Sequence, residues 1–101
     1  MNTKNLAKIL DQDLGQISFG GFLRSARTYR DLTQVEMARF LGLSRSTLCD
    51  IEKGRQLVTI QLASKIAKKC KLSIPLAVEA SIRDHLKKSK LDLNIKIIEA
   101  A

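Results

Sequence analysis

From Ser18 to Leu86 the apolar residues return every three or four positions, the spacing of helices that bury one face. Ser18 reads as an N-cap for a stripe of Phe19, Phe22, Leu23 and Ala26 that fades near Arg30. Thr33 is the next cap, and Glu36 three residues on completes a capping box. Met37, Ala38 and Leu41 then point inward, and Gly42 can take the positive φ that closes such a helix. Ser44 opens a third helix, with Leu48 and Ile51 inward and Gly54 at its end. Thr59 opens a fourth, with Ile60, Ala63, Ile66, Ala67 and Cys70 as its stripe. Ser73 opens a fifth, with Pro75 tolerated in the first turn and Val78, Ile82, His85 and Leu86 on the expected inner face. Leu6, Ile9 and Leu10 suggest a short helix ahead of all five.

The period changes after residue 90. Leu91, Leu93, Ile95 and Ile97 alternate with Asp92, Asn94 and Lys96, the pattern of a half-buried strand. A lone strand must pair its backbone somewhere. Either Leu14 to Phe19 supplies a second short strand, or another chain does.

Charge narrows the partner. The 101 residues carry 18 Lys plus Arg against 10 Asp plus Glu, a formal charge of +8. The excess lies in residues 20–71, where eleven cations face Asp31, Glu36, Asp50 and Glu52. Such a field suits a nucleic-acid backbone, although a basic surface also serves solubility alone. The length is that of one small domain, and 45% apolar residues exclude a disordered tail. No run approaches the ~20 apolar residues of a membrane span, and residues 1–12 lack the apolar core of a signal peptide. A cytoplasmic location is expected, with Cys49 and Cys70 as free thiols.

The segment from Gln34 to Ile51 carries the chemistry. Two short helices flank Leu41-Gly42-Leu43, a turn tight enough to make them cross steeply. Ala38 sits at their closest approach. Leu48 and Ile51 anchor the second helix from beneath, which frees Arg45, Ser46, Cys49, Asp50 and Lys53 to project. A helix of about ten residues with a short polar face fits the major groove of B-DNA.

Counted from Gln34, the small residue is fifth (Ala38), the glycine ninth (Gly42), and apolar residues fill the fifteenth and eighteenth places (Leu48, Ile51). Around them stand Phe22-Leu23-Arg24, Leu32-Thr33-Gln34, Leu41-Gly42-Leu43-Ser44, Ser46-Thr47-Leu48 and Ile51-Glu52-Lys53-Gly54-Arg55. This array, over residues 19–80, resembles the helix-turn-helix of the Xre-like family, which includes the phage Cro and repressor proteins. The resemblance implies an all-α, five-helix domain like that of the lambda repressor, with a short N-terminal helix and a C-terminal β-strand tail. Its expected divisions are an extension at 1–17, the DNA-binding domain at 18–88 and a tail at 89–101 that contacts a dimer mate or another partner.

The same resemblance implies the roles of single residues. Gln34 bonds a phosphate at the start of its helix. Ser44, Arg45, Ser46 and Asp50 face base edges, with Thr47 and Cys49 beside them, and Arg45 is suited to take a guanine bidentately. Lys53 and Arg55 approach phosphates. Arg27 and Glu52 match a buried ion pair that ties the first helix to the recognition helix. Two departures stand out: Gln56-Leu57-Val58 follows where the family often has a proline, and Val35 stands where many members have glutamate. Asp50 either accepts from a cytosine or turns back onto its own domain.

Other features read more plainly. Cys49 is an exposed thiol, either inert or redox-active, and Cys70 is a small core residue. A single histidine, His85, cannot assemble a metal cluster or a triad, so no metal, cofactor or catalytic site is expected. Lys68, Lys69 and Lys71 are either a solvated helix end or a phosphate clamp. Two functions remain. One is a repressor that binds duplex DNA as a homodimer. The other is an antitoxin, as in the HigA-like chains this length resembles, which holds a ribonuclease toxin and represses its own promoter.

Overall fold

The computed structural model describes residues 17–98, and they form five helices. These are α1 (Phe19–Tyr29), α2 (Gln34–Leu41), α3 (Arg45–Glu52), α4 (Ile60–Lys69) and α5 (Ile74–Lys88). Each begins at the hydroxyl residue the sequence marks. Ser18, Thr33, Ser44, Thr59 and Ser73 accept the amide N–H of Gly21, Glu36, Thr47, Leu62 and Leu76. A cap of this kind is worth about 1 kcal/mol, which matters for helices of eight residues that would not form alone. At Thr33 the capping box is complete, with Glu36 bonding back to the Thr33 amide at 2.9 Å.

The helix ends are closed by left-handed residues, only two of which the sequence announces. Gly42 and Gly54 sit at φ 72° and 76°. Asp31, Lys71 and Lys90 take the same conformation at 55°, 56° and 59° without being glycine. After each, a leucine amide reaches back to close the turn: Leu32 to Arg27, Leu72 to Ala67, Leu91 to Leu86. Leu32 and Leu72 also pack against the core, and that burial offsets the left-handed strain. Leu91 is half exposed and gains no such offset.

Helix α1 lies between α3 and α5, α2 packs on α3, and α4 packs on α5. One core joins Phe19, Phe22, Leu23, Met37, Leu48, Ile51, Ile66 and Cys70, all nearly inaccessible to solvent. Phe19 and Phe22 stack with ring centres 5.8 Å apart.

Three sequence expectations are corrected. On α5 the buried face is Ala77, Ala80 and Ser81, about 100° round from the expected one. Val78, Ile82 and Leu86 are only half buried, and His85 is exposed. Small side chains let α5 lie close to α1 and α4, and the Ser81 hydroxyl donates to the Val58 carbonyl at 2.9 Å. At the start of α4, Ile60 is 49% exposed instead of inward. The tail finds no mate in its own chain among the described residues, where residues 91–98 run without turn or bend. Phe19, offered as part of a pairing segment, is already helical. The early helix around Leu6, Ile9 and Leu10 lies outside the described residues, as does Leu14.

Candidate nucleic-acid interface

The corner between α2 and α3 turns on Gly42. Its left-handed φ aims the chain back so that the Leu43 amide bonds the Ala38 carbonyl at 2.8 Å. Ala38 is 2% exposed at the crossing. Leu48 and Ile51, at 0% and 1%, then hold the underside of α3 in the core. Those two anchors, three residues apart, fix which side of α3 turns outward.

On that outward side Ser44, Arg45 and Ser46 are exposed, as are Lys53 and Arg55 beyond the helix end. Thr47, Cys49 and Asp50 are partly covered. The Ser44 hydroxyl is engaged locally, accepting the Thr47 amide at 3.0 Å and donating to the Thr47 hydroxyl at 2.8 Å. Asp50 faces Arg55, whose Nη1 lies 3.7 Å from its Oδ1. Both groups are solvated, so that pair adds little to stability. It does place one carboxylate beside a cation at the end of the helix.

Glu52 is the joint of the module. Its carboxylate accepts Arg27 Nε at 2.8 Å and Arg27 Nη2 at 3.1 Å, a bidentate pair linking α1 to α3. Gln34 Nε2, on α2, donates to the same carboxylate at 3.2 Å. Arg27 Nη1 also donates to the Leu32 carbonyl at 3.0 Å, holding the α1–α2 connection. The two charged side chains are 14% and 3% exposed, so neither has water to replace the other. Gln34 therefore carries one of its two amide hydrogens toward Glu52 and has one left for an outside acceptor.

The sequence reading missed two features here. Arg24 and Lys53 stand exposed at the rim of a cleft of about 130 Å³ above Arg27, Gln34 and Glu52, so Arg24 belongs to this cationic surface. Gly20 is the second. A Cβ there would stand 2.2 Å from the Ile51 carbonyl oxygen and 2.9 Å from that of Glu52. Only glycine lets α1 touch the end of α3. Two adjacent glycines inside a helical pattern were the available signal, since glycine weakens a helix unless close packing requires it.

At the far end of α2 the basic residues have structural uses. Lys69 donates to the Phe40 carbonyl at 3.1 Å, and Arg30 donates to the Cys70 carbonyl, so both cap helix ends. Burial pushes the Cys70 thiol above its usual pKa, as suits an inert core residue. Among the described residues no cluster of His, Cys, Asp and Glu could hold a metal, and no helix is long and apolar enough to cross a membrane.

A polar helix set outward by a glycine corner, and braced from two sides, defines the helix-turn-helix class. Residues 18–80 match the family described as a helix-turn-helix domain, and the chain belongs to that family in its Xre-like form. Among curated proteins it is similar to the antitoxin PezA of Streptococcus pneumoniae serotype 4, at 32% identity over 79% of this chain and 51% of that protein. It is 44% identical to the ImmF control region 10 kDa protein of Bacillus phage phi105, over 48% of this chain and 53% of that one. The transcriptional repressor RstR of the cryptic phage CTXphi, from Vibrio cholerae, is 32% identical over 81% of this chain and 72% of its own. The chain thus spans about half the length of the first two relatives. No solved structure matches it.

Proposed function

We propose that this chain is a sequence-specific, duplex-DNA-binding transcriptional repressor. Helix α3 enters the major groove, and the chain acts as one half of a two-fold dimer on a palindromic operator. The observation that carries this reading is the division of α3. Leu48 and Ile51 are fully buried, while Arg45 and Ser46 on the same two turns are open to solvent. Arg45 takes a guanine edge, with Ser46, Thr47 and Cys49 against neighbouring bases. Gln34, Lys53, Arg55 and Arg24 hold phosphates on either side. The basic charge supplies affinity without sequence, and α3 supplies the sequence. Two relatives are named as a repressor and as a phage control-region protein, which supports this role.

Selection of bound DNA from a random pool is the direct test. It should return a two-fold site with half-sites about one helical turn apart. The double variant Arg45→Ala/Ser46→Ala should lose preference for that site by about 1–3 kcal/mol per lost base contact, while low-salt binding to random duplex persists. An unchanged preference overturns the assignment of α3.

A second reading is favoured by one observation: the similarity to a protein named as an antitoxin runs through four-fifths of this chain. On this reading the chain also binds a toxin through a surface away from α3, and represses its own promoter. Co-purification with the product of the adjacent reading frame tests it. A partner retained by the Arg45→Ala/Ser46→Ala variant supports the second role, and a chain that purifies alone from that co-expression removes it.

A further inference from the structure

The two-fold dimer proposed above needs a contact, and the tail offers one with a definite register. Helix α5 ends in a left-handed Lys90, and the Leu91 amide closes the turn on the Leu86 carbonyl at 3.0 Å. The chain then runs back along α5 without turn or bend, until the Ile97 amide donates to Glu79 Oε1 at 2.5 Å. Glu79 is 8% exposed, so this tether is set into the body of the domain.

That tether sorts the two edges of the segment. In an extended chain successive N–H groups point to opposite edges. With Ile97 turned to Glu79, the odd-numbered amides share the α5 side. The amides of Asp92, Asn94 and Lys96 lie along the other edge, where no strand pairs among the described residues. Large apolar side chains stand exposed along the same segment: Leu91 at 50%, Leu93 at 61% and Ile98 at 84%. An open edge with an alternating pattern is a template for another strand.

We propose that residues 91–97 of two copies pair as an antiparallel ribbon whose two-fold axis passes through Asn94. Across residues 91–97 only this register sets opposite charges against each other while keeping apolar against apolar. Asp92 faces Lys96 of the second copy, and Lys96 faces its Asp92, so the ribbon holds two symmetric ion pairs. Leu93 faces Ile95 and Leu91 faces Ile97, which makes one continuous apolar row. An axis at Leu93 sets Lys90 against Lys96. An axis at Ile95 sets Lys96 against Asn94 and leaves it without an opposite charge. A shift by one residue opposes apolar to polar positions throughout. The inference rests on the dimer reading and names the contact that makes it.

Sedimentation equilibrium of the full chain, with three charge variants, tests the register. Asp92→Lys and Lys96→Asp should each weaken the dimer by about tenfold, since each creates two like-charge oppositions. The double variant Asp92→Lys/Lys96→Asp should restore it. Disulfide trapping in a Cys49→Ser background gives a second readout. Asn94→Cys should link to itself under mild oxidation, because residues on the axis lie within disulfide reach, whereas Leu93→Cys should not. A wild-type-strength dimer in Asp92→Lys, or linkage at 93 in place of 94, overturns the ribbon and leaves the two-fold reading standing. A wild-type chain that is monomeric both free and on its selected DNA overturns both.

Discussion

The α2–α3 pair and the α5–tail region use the same residue types in opposite ways. In α2–α3 Met37, Leu41, Leu48 and Ile51 go inward and the outward face of α3 is polar, although Val35 and Phe40 stay about half exposed on α2. In α5 the inward positions are Ala77, Ala80 and Ser81, while Val78, Ile82 and Leu86 stay partly open and the tail adds exposed Leu91 and Leu93. The first arrangement suits a surface that meets a charged, hydrated partner. The second suits a surface that is completed by more protein. Bracing differs as well. Glu52 is gripped by side chains from two other helices, whereas the tail is held by one hydrogen bond to Glu79.

The comparison can be broken most severely at Glu52. Glu52→Ala leaves Arg27 charged and nearly buried, so it should cost about 3–5 kcal/mol. Urea unfolding checks this, and a loss below 1 kcal/mol would mean the joint is not what holds α3. Gly20→Ala comes next. The added methyl meets backbone that cannot move aside, so a loss of about 1–3 kcal/mol is expected from the same measurement, with weaker DNA binding as α3 shifts. In the other direction, Lys71→Gly relieves a left-handed residue and should stabilise by up to about 1 kcal/mol. Lys71 lies away from α3, so operator preference should not change.

The smallest effects are in pH dependence, and the two regions differ in sign. Hydrogen bonds from the Thr33 amide and hydroxyl hold the Glu36 carboxyl below its usual value of 4.5. Its contribution to stability is therefore complete above that value and is lost as pH falls through the lower folded value. Asp84, on α5, goes the other way. Burial raises its carboxyl above 3.8, against the opposing effect of the Phe19 amide that bonds it at 2.9 Å. The folded chain keeps that proton to higher pH than the unfolded chain does, so stability declines as pH rises from 3.8 through the folded value. Unfolding midpoints across that range should show a shallower acid loss in Glu36→Gln. They should show the Asp84 decline removed in Asp84→Asn.

Most of the helix-turn-helix was legible because its signals are local. Thr33 with Glu36, Gly42 as the only residue at the corner free of left-handed strain, and Ser44 as a cap each act within a few residues. Leu48 and Ile51 were legible because three-residue spacing fixes one helical face. The inner face of α5 was not. Periodicity favours the stripe with the largest apolar residues, and nothing in Ala77, Ala80 and Ser81 says that α1 and α4 approach closely enough to need small ones. Asp31, Lys71 and Lys90 were likewise hidden, since their left-handed turns are maintained by contacts made after them. The tail was legible only in part. Its alternation is a true strand pattern, but a strand needs a mate, and none is supplied within residues 17–98.

By itself the sequence determined where each helix begins, which residues anchor α3 and which of its side chains are left for a partner. Those outcomes depend on interactions three or four residues apart. The tertiary structure alone decided that Gln34 joins the Arg27–Glu52 pair, that Gly20 must be bare, and that α5 turns its small residues inward. Each of these depends on the distance between helices remote in the chain, and that distance is set by how all five pack at once.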